Sequence, residues 1–135
     1  MRHDTVVLIS LLSKGFIVIT RRYFPLGHHL LIDLYDAQCL TDIDIIEQAL
    51  AEAASVCGAT LLDIKLHTFG ENQGITGVAL LAESHISIHT WPESQFAAID
   101  VFMCGDCKPI LAVDVFKQVF KPQKVNVSDH SRGSN

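Results

Sequence analysis

The sequence lacks basic clusters. Lys and Arg number 10 against 15 Asp and Glu, a net charge of -5, and no basic run interleaves with aromatics. A surface that neutralises phosphates needs many cations on one face, so this balance argues against a nucleic-acid partner and for a small-molecule ligand. A membrane-length apolar run is also missing. Residues 6–19 (VVLISLLSKGFIVI) provide 14 residues with Lys14 among them, where a span needs about 20. Arg21-Arg22 follows rather than an A-x-A-like cleavage site, so the stretch does not read as a secretory signal; an extra strand or an ill-placed start codon explains it. Disulfide spacing is absent too. Cys39, Cys57, Cys104 and Cys107 are irregularly placed in a chain large enough to fold without staples, which suits reduced thiols in the cytoplasm.

What is present is apolar content: 49% of 135 residues, enough for one core between two layers but not for two domains. A single domain is therefore expected. Leu30–Tyr35 reads as a strand. Thr41-x-x-Asp44 has a capping-box pattern, and Ile46, Leu50, Ala53 and Cys57 recur at helical spacing until Gly58 stops the helix. Residues 61–68 alternate, with Leu62, Ile64 and Leu66 on one face, and a polar loop spans Gly70–Gly74. Strands are expected at Val78–Ala82, Ser84–Trp91 and Phe96–Met103. Pro109 then opens a helix carrying Leu111, Val115, Phe116 and Val119, which stops before Pro122, and Lys124–Ser128 alternates as a last strand.

That order predicts an α+β two-layer sandwich: an antiparallel-rich sheet with both helices on one face. The other face is left bare. Polar side chains on it are the first place to look for function.

Reactive side chains are densest in Glu83-Ser84-His85-Ile86-Ser87-Ile88-His89-Thr90-Trp91-Pro92-Glu93. On a strand His85, Ser87, His89 and Trp91 project to one side and Ile86 and Ile88 to the other. A His85-x-x-x-His89 zinc site needs a helix; on a strand four residues span roughly 13 Å and the imidazoles cannot share one ion. No metal is expected. Cys104-x-x-Cys107 has no second Cys/His pair to complete a zinc site, and no clear following helix for a thioredoxin-like one. Taken singly, Ser84 and Thr76 are ordinary strand residues, Cys104 a small hydrophobe and Glu93 a solvated carboxylate.

Together they resemble a family. The run Glu83–Glu93, with Gly77 before it and Ala97-Ala98-Ile99-Asp100 and Cys104-Gly105 after it, is similar to the short prokaryotic class of pyruvoyl-dependent S-adenosylmethionine decarboxylase. Similarity extends from Gly27-His28-His29-Leu30 to His130-x-Arg132-Gly133, so the resemblance leaves residues 1–24 as an N-terminal extension of unknown role and 25–135 as a single decarboxylase domain. The resemblance implies a proenzyme that cuts itself between Glu83 and Ser84. The Ser84 hydroxyl attacks the Glu83 carbonyl, the amide becomes an ester, and elimination and hydrolysis leave a pyruvoyl group and ammonia.

By the same resemblance His89 accepts a proton in processing, and Thr76, a serine in the family, supports the oxyanion. The pyruvoyl ketone forms a Schiff base with the substrate amine and acts as an electron sink. Cys104 protonates the product carbon. Glu93 holds the ribose hydroxyls, and Phe69 is the aromatic on which adenine stacks. The implied product is the aminopropyl donor of spermidine and polyamine biosynthesis, and the implied assembly a homodimer of cleaved protomers stacked as αββα. Relatives acting on ornithine or arginine supply the alternative substrate reading. A processing-dead regulatory homologue is a distant third, disfavoured by the intact Glu83-Ser84, His89 and Cys104.

Overall fold

The computed structural model describes residues 6–11, 15, 17–22 and 24–133. Val6–Leu11 (β1) and Ile17–Arg22 (β2) pair as a separate antiparallel hairpin, so the apolar N-terminal stretch forms two strands. The remaining elements are β3 (Gly27–Tyr35), α1 (Ile43–Val56), β4 (Leu61–Thr68), β5 (Ile75–Leu81), β6 (Ser84–Trp91), a 3-10 turn (Pro92–Ser94), β7 (Phe96–Cys104), α2 (Leu111–Phe120) and β8 (Lys124–Arg132). After the hairpin the order is as expected. All ladders are antiparallel, and the six-stranded sheet runs β4-β5-β6-β7-β3-β8. Among the described residues no helix is long and apolar enough to cross a membrane.

Strand alternation sorts the sheet into two faces. Leu30, Ile32, Leu34, Ile86, Ile88, Ile99 and Val101 are buried beneath Ile46, Leu50 and Ala53 of α1 and Ala112, Phe116 and Phe120 of α2. The β-branched Ile and Val among the strand residues suit a pleated, packed surface. Apart from Gly27 at its edge, the opposite face of the same strands carries half-buried or exposed residues. The two-layer α+β sandwich is therefore present, with one sheet face uncovered in the protomer.

Four local expectations are corrected. Asp42, not Thr41, caps α1: its carboxylate accepts from the Asp44 and Ile45 N–H groups at 3.1 Å, because the cap must sit one residue before the first helical turn. Leu62 lies at a register shift between Leu61 and Asp63 and is 66% exposed; the bulge turns it away from Ile64 and Leu66. On α2, Leu111 is exposed, and Phe120 joins Phe116 in the core. Finally, β3, β5 and β8 run longer than the alternation alone delimits, because neighbouring strands continue their hydrogen bonding.

Candidate functional site

Ser84 is the first residue of β6. It follows a two-residue connection, Ala82-Glu83, that closes the hairpin at the Leu81–Ser84 pair. Glu83 has φ 60°, the left-handed region where a Cβ costs roughly 1–2 kcal/mol. Strain therefore sits on the acyl side of the Glu83–Ser84 bond. The Cys104 thiol, at the end of β7, donates to the Glu83 carbonyl oxygen at 3.3 Å. Ser84 Oγ is 3.6 Å from the same sulfur. With the single S–H directed at the carbonyl, the Ser84 hydroxyl is the donor in that second contact. The Glu83 carboxylate also approaches the thiol, at 3.8 Å.

Thr76 and His89 meet at the other end of the β5–β6 ladder, where they are register partners, with Thr76 Oγ1 3.0 Å from His89 Nδ1. Trp91 lies beside His89 with ring centroids 6.2 Å apart. Beyond it Glu93 stands exposed in the 3-10 turn. Trp91, Phe96, Tyr35 and Ser94 line an open pocket of about 430 Å³. Phe96 bridges the other two rings, at 5.4 Å from Trp91 and 5.2 Å from Tyr35. Phe69, at the end of edge strand β4, is 67% exposed and packs edge-on against His67 at 4.9 Å.

The structure thus brings Glu83, Ser84 and Cys104 together at one end of the bare face, and Thr76, His89, Glu93 and Phe69 toward the other. It does not join the two groups within one chain. Five residues of extended strand separate Ser84 from His89, roughly 16 Å at about 3.3 Å per residue.

Between the two ends lies a polar band that was not singled out from the sequence as a site. Asp100 Oδ2 accepts from the Ser87 hydroxyl at 3.1 Å, and His29 Nε2 is 3.4 Å from Asp100 Oδ1. That nitrogen is buried yet has no aligned hydrogen-bond partner. His85 lies tilted against Phe102 at 5.7 Å and meets His29 edge-on at 6.1 Å. Burial, and then the neighbouring His29, push the His85 imidazole below its ordinary 6.5, against the opposing pull of Asp100. The available signal was alternation on β3 and β7, where His29, Asp33 and Asp100 alternate with apolar positions at period two.

The remaining cysteine readings resolve simply. Cys57 is core, its thiol pushed up to about 11 by burial. Cys107 caps a turn whose N–H reaches the Cys104 carbonyl at 3.4 Å, and burial raises its thiol as well. All four thiols are free. Among the described residues no group of three His, Cys, Asp or Glu side chains is arranged to hold a metal ion.

Comparison with known proteins places these features in context. The family model described as S-adenosylmethionine decarboxylase matches residues 28–133, leaving the β1–β2 hairpin outside the match. A curated relative from Methanococcus maripaludis, an S-adenosylmethionine decarboxylase proenzyme, is 48% identical over 111 residues, covering 80% of this chain and 90% of its own. A protein of the same name from Thermomicrobium roseum is 39% identical over 109 residues, covering 80% and 94%. The crystal structure of the adenosylmethionine decarboxylase from Aquifex aeolicus superposes with a TM-score of 0.75 at 36% identity, covering 83% of this chain and 94% of that one.

Proposed function

The chain belongs to the S-adenosylmethionine decarboxylase family, and from that premise we propose that it cuts itself at Glu83–Ser84 and then decarboxylates S-adenosylmethionine, feeding aminopropyl groups to polyamine synthesis. The observation that carries the processing step is the strained Glu83 backbone, φ 60°, with its carbonyl bonded by the Cys104 thiol and followed by Ser84. Ser84 Oγ attacks the Glu83 carbonyl carbon, and the hydrogen bond from Cys104 draws charge onto the oxygen as the amide becomes an ester. Loss of the Ser84 α-proton expels the main-chain carboxylate of residue 83, the new C-terminus of the first fragment, and leaves dehydroalanine, which takes up water and releases ammonia. Relief of the left-handed turn favours the cut. The residues fit the pyruvoyl group this would produce at position 84, whose carbonyl supplies an electron sink for decarboxylation.

His89 is the proton acceptor in processing, and Thr76, whose hydroxyl also lies 3.0 Å from the imidazole, supports the oxyanion. Because both lie roughly 16 Å from Ser84 along β6, they act on Ser84 of a second protomer. Two bare faces stacked about a two-fold axis that lies between the sheets and crosses the strands bring the Ser84 end of one β6 over the His89 end of the other. Leu31, Leu80 and Trp91, all 40–47% exposed on that face, are the apolar surface such stacking would cover. The active form is then an αββα homodimer with two shared sites, built by residues 25–135, with residues 1–24 an appended extension.

Cys104 keeps its place beside position 84 after the cut and returns a proton to the product carbon. The exposed Glu93 carboxylate takes the vicinal ribose hydroxyls, and Phe69 offers its open ring to adenine. Four free cysteines are in keeping with a cytoplasmic site of action.

Intact-mass measurement tests the first step: fragments 1–83 and 84–135 are expected, with Ser84→Ala remaining whole. Carbon dioxide release from S-adenosylmethionine, ornithine and arginine in parallel tests the second. Activity confined to ornithine or arginine would overturn the substrate.

A further inference from the structure

Among the described residues Thr90 is the single polar side chain buried in the core, 5% exposed and in line with Ile86 and Ile88 on the helix-covered face of β6. Its hydroxyl donates to the Leu40 carbonyl at 2.7 Å and accepts the Ile75 N–H at 2.8 Å. Main-chain pairing of β5 with β6 runs from Leu81–Ser84 to Thr76–His89 and ends there. Ile75, one step beyond, is tied to the hydroxyl of Thr90. Gly74 passes so close to Thr90 that a Cβ on it would collide with the Thr90 carbonyl oxygen.

The two adjacent residues on each strand are therefore fastened on opposite faces. On the core side Thr90 grips Ile75. On the bare side Thr76 meets His89 at 3.0 Å. That contact is the last rung of the β5–β6 ladder; beyond it each strand stays paired with its outer neighbour, at Thr68–Ile75 and Thr90–Ala97, so its geometry depends on the Thr90–Ile75 clasp that ties the two together. We infer that Thr90 is a positioning residue for the Thr76–His89 pair: its hydroxyl closes the end of the β5–β6 ladder from the core side and so holds the imidazole in the orientation that processing requires. This role rests on the proposed part of His89 in self-cleavage.

Isosteric replacement separates the hydroxyl from the packing. Thr90→Val keeps the volume and leaves the Leu40 carbonyl and the Ile75 N–H without their partner; Thr90→Ser keeps the hydroxyl and loses a methyl. Cleavage is followed on full-length chains made by cell-free translation, with Ser84→Ala as the uncut reference and Phe116→Leu, a core change on α2, as a destabilised control. Thr90→Val should cleave on the order of 10- to 100-fold more slowly, the scale of a misplaced reacting group. Thr90→Ser should stay within about 3-fold of the parent, like the control. In the uncut Ser84→Ala background the His89 ring nitrogen resonances should change with valine and not with serine. Cleavage of Thr90→Val at the parent rate, equal slowing by serine, or equal slowing by the Phe116 control would overturn the inference. A parent chain that never cleaves would instead sink the reading of Ser84 itself, and this inference with it.

Discussion

The two faces of one sheet differ in almost every respect. On the helix side Ile32, Leu34, Ile86, Ile88, Ile99 and Val101 are buried without a charge among them, and Thr90 is the single buried polar residue among those described. On the bare side the same strands present His29, Asp33, His85, Ser87, His89, Asp100 and Cys104, none of them fully buried. Period-two alternation lets a strand store stability on one side and reactive groups on the other, so that changes in one have limited consequence for the other. Hydrophobic burial does not need an exact partner; proton transfer does.

The sharpest way to break this comparison is complementation on the bare face. Neither Ser84→Ala nor His89→Ala should be cut when expressed alone. Co-expressed, they form a mixed dimer with one intact site, and the His89→Ala chain should then be cleaved, visible as the 84–135 fragment by mass. Absence of that fragment from a demonstrated mixed dimer would mean that His89 serves its own chain.

On the helix side the expected effect is energetic. Phe116 is fully buried and stacks on Phe120 with centroids 6.3 Å apart. Phe116→Ala should cost about 3–5 kcal/mol in urea unfolding while leaving cleavage well below the unfolding transition within a few-fold of the parent. Loss of cleavage without loss of stability would reverse the assignment of the two faces.

A smaller effect joins the faces through pH. Burial and His29 hold His85 below 6.5, so the unfolded chain binds the proton more readily than the folded one, and stability contributed by neutral His85 is lost as pH falls below 6.5. His85→Gln should therefore flatten the decline of the urea midpoint between about pH 7 and about pH 5. An unchanged slope would mean that other groups set the acid sensitivity.

Much of this was legible in the chain. The bounds of β6, Ser84–Trp91, follow from alternation, as does the burial of Ile46, Leu50, Ala53 and Cys57 from helical spacing. Other features left no local signal. Leu62 keeps the alternating pattern yet sits in a bulge that only pairing with β5 creates. Thr41 and Asp42 are both good caps, and the side chain that reaches the helix N–H groups was settled by the path of the connection.

The sequence by itself determined the family, the strand that carries the reactive residues and which of them share a face, because motif and periodicity are properties of neighbouring residues. Only the tertiary structure decided what each one meets. Cys104 lies 20 residues from Ser84 and touches it, whereas His89 lies five residues away and does not. The reason is geometric: an extended strand carries near neighbours apart at a fixed rise, and antiparallel register brings distant residues to the same sheet end.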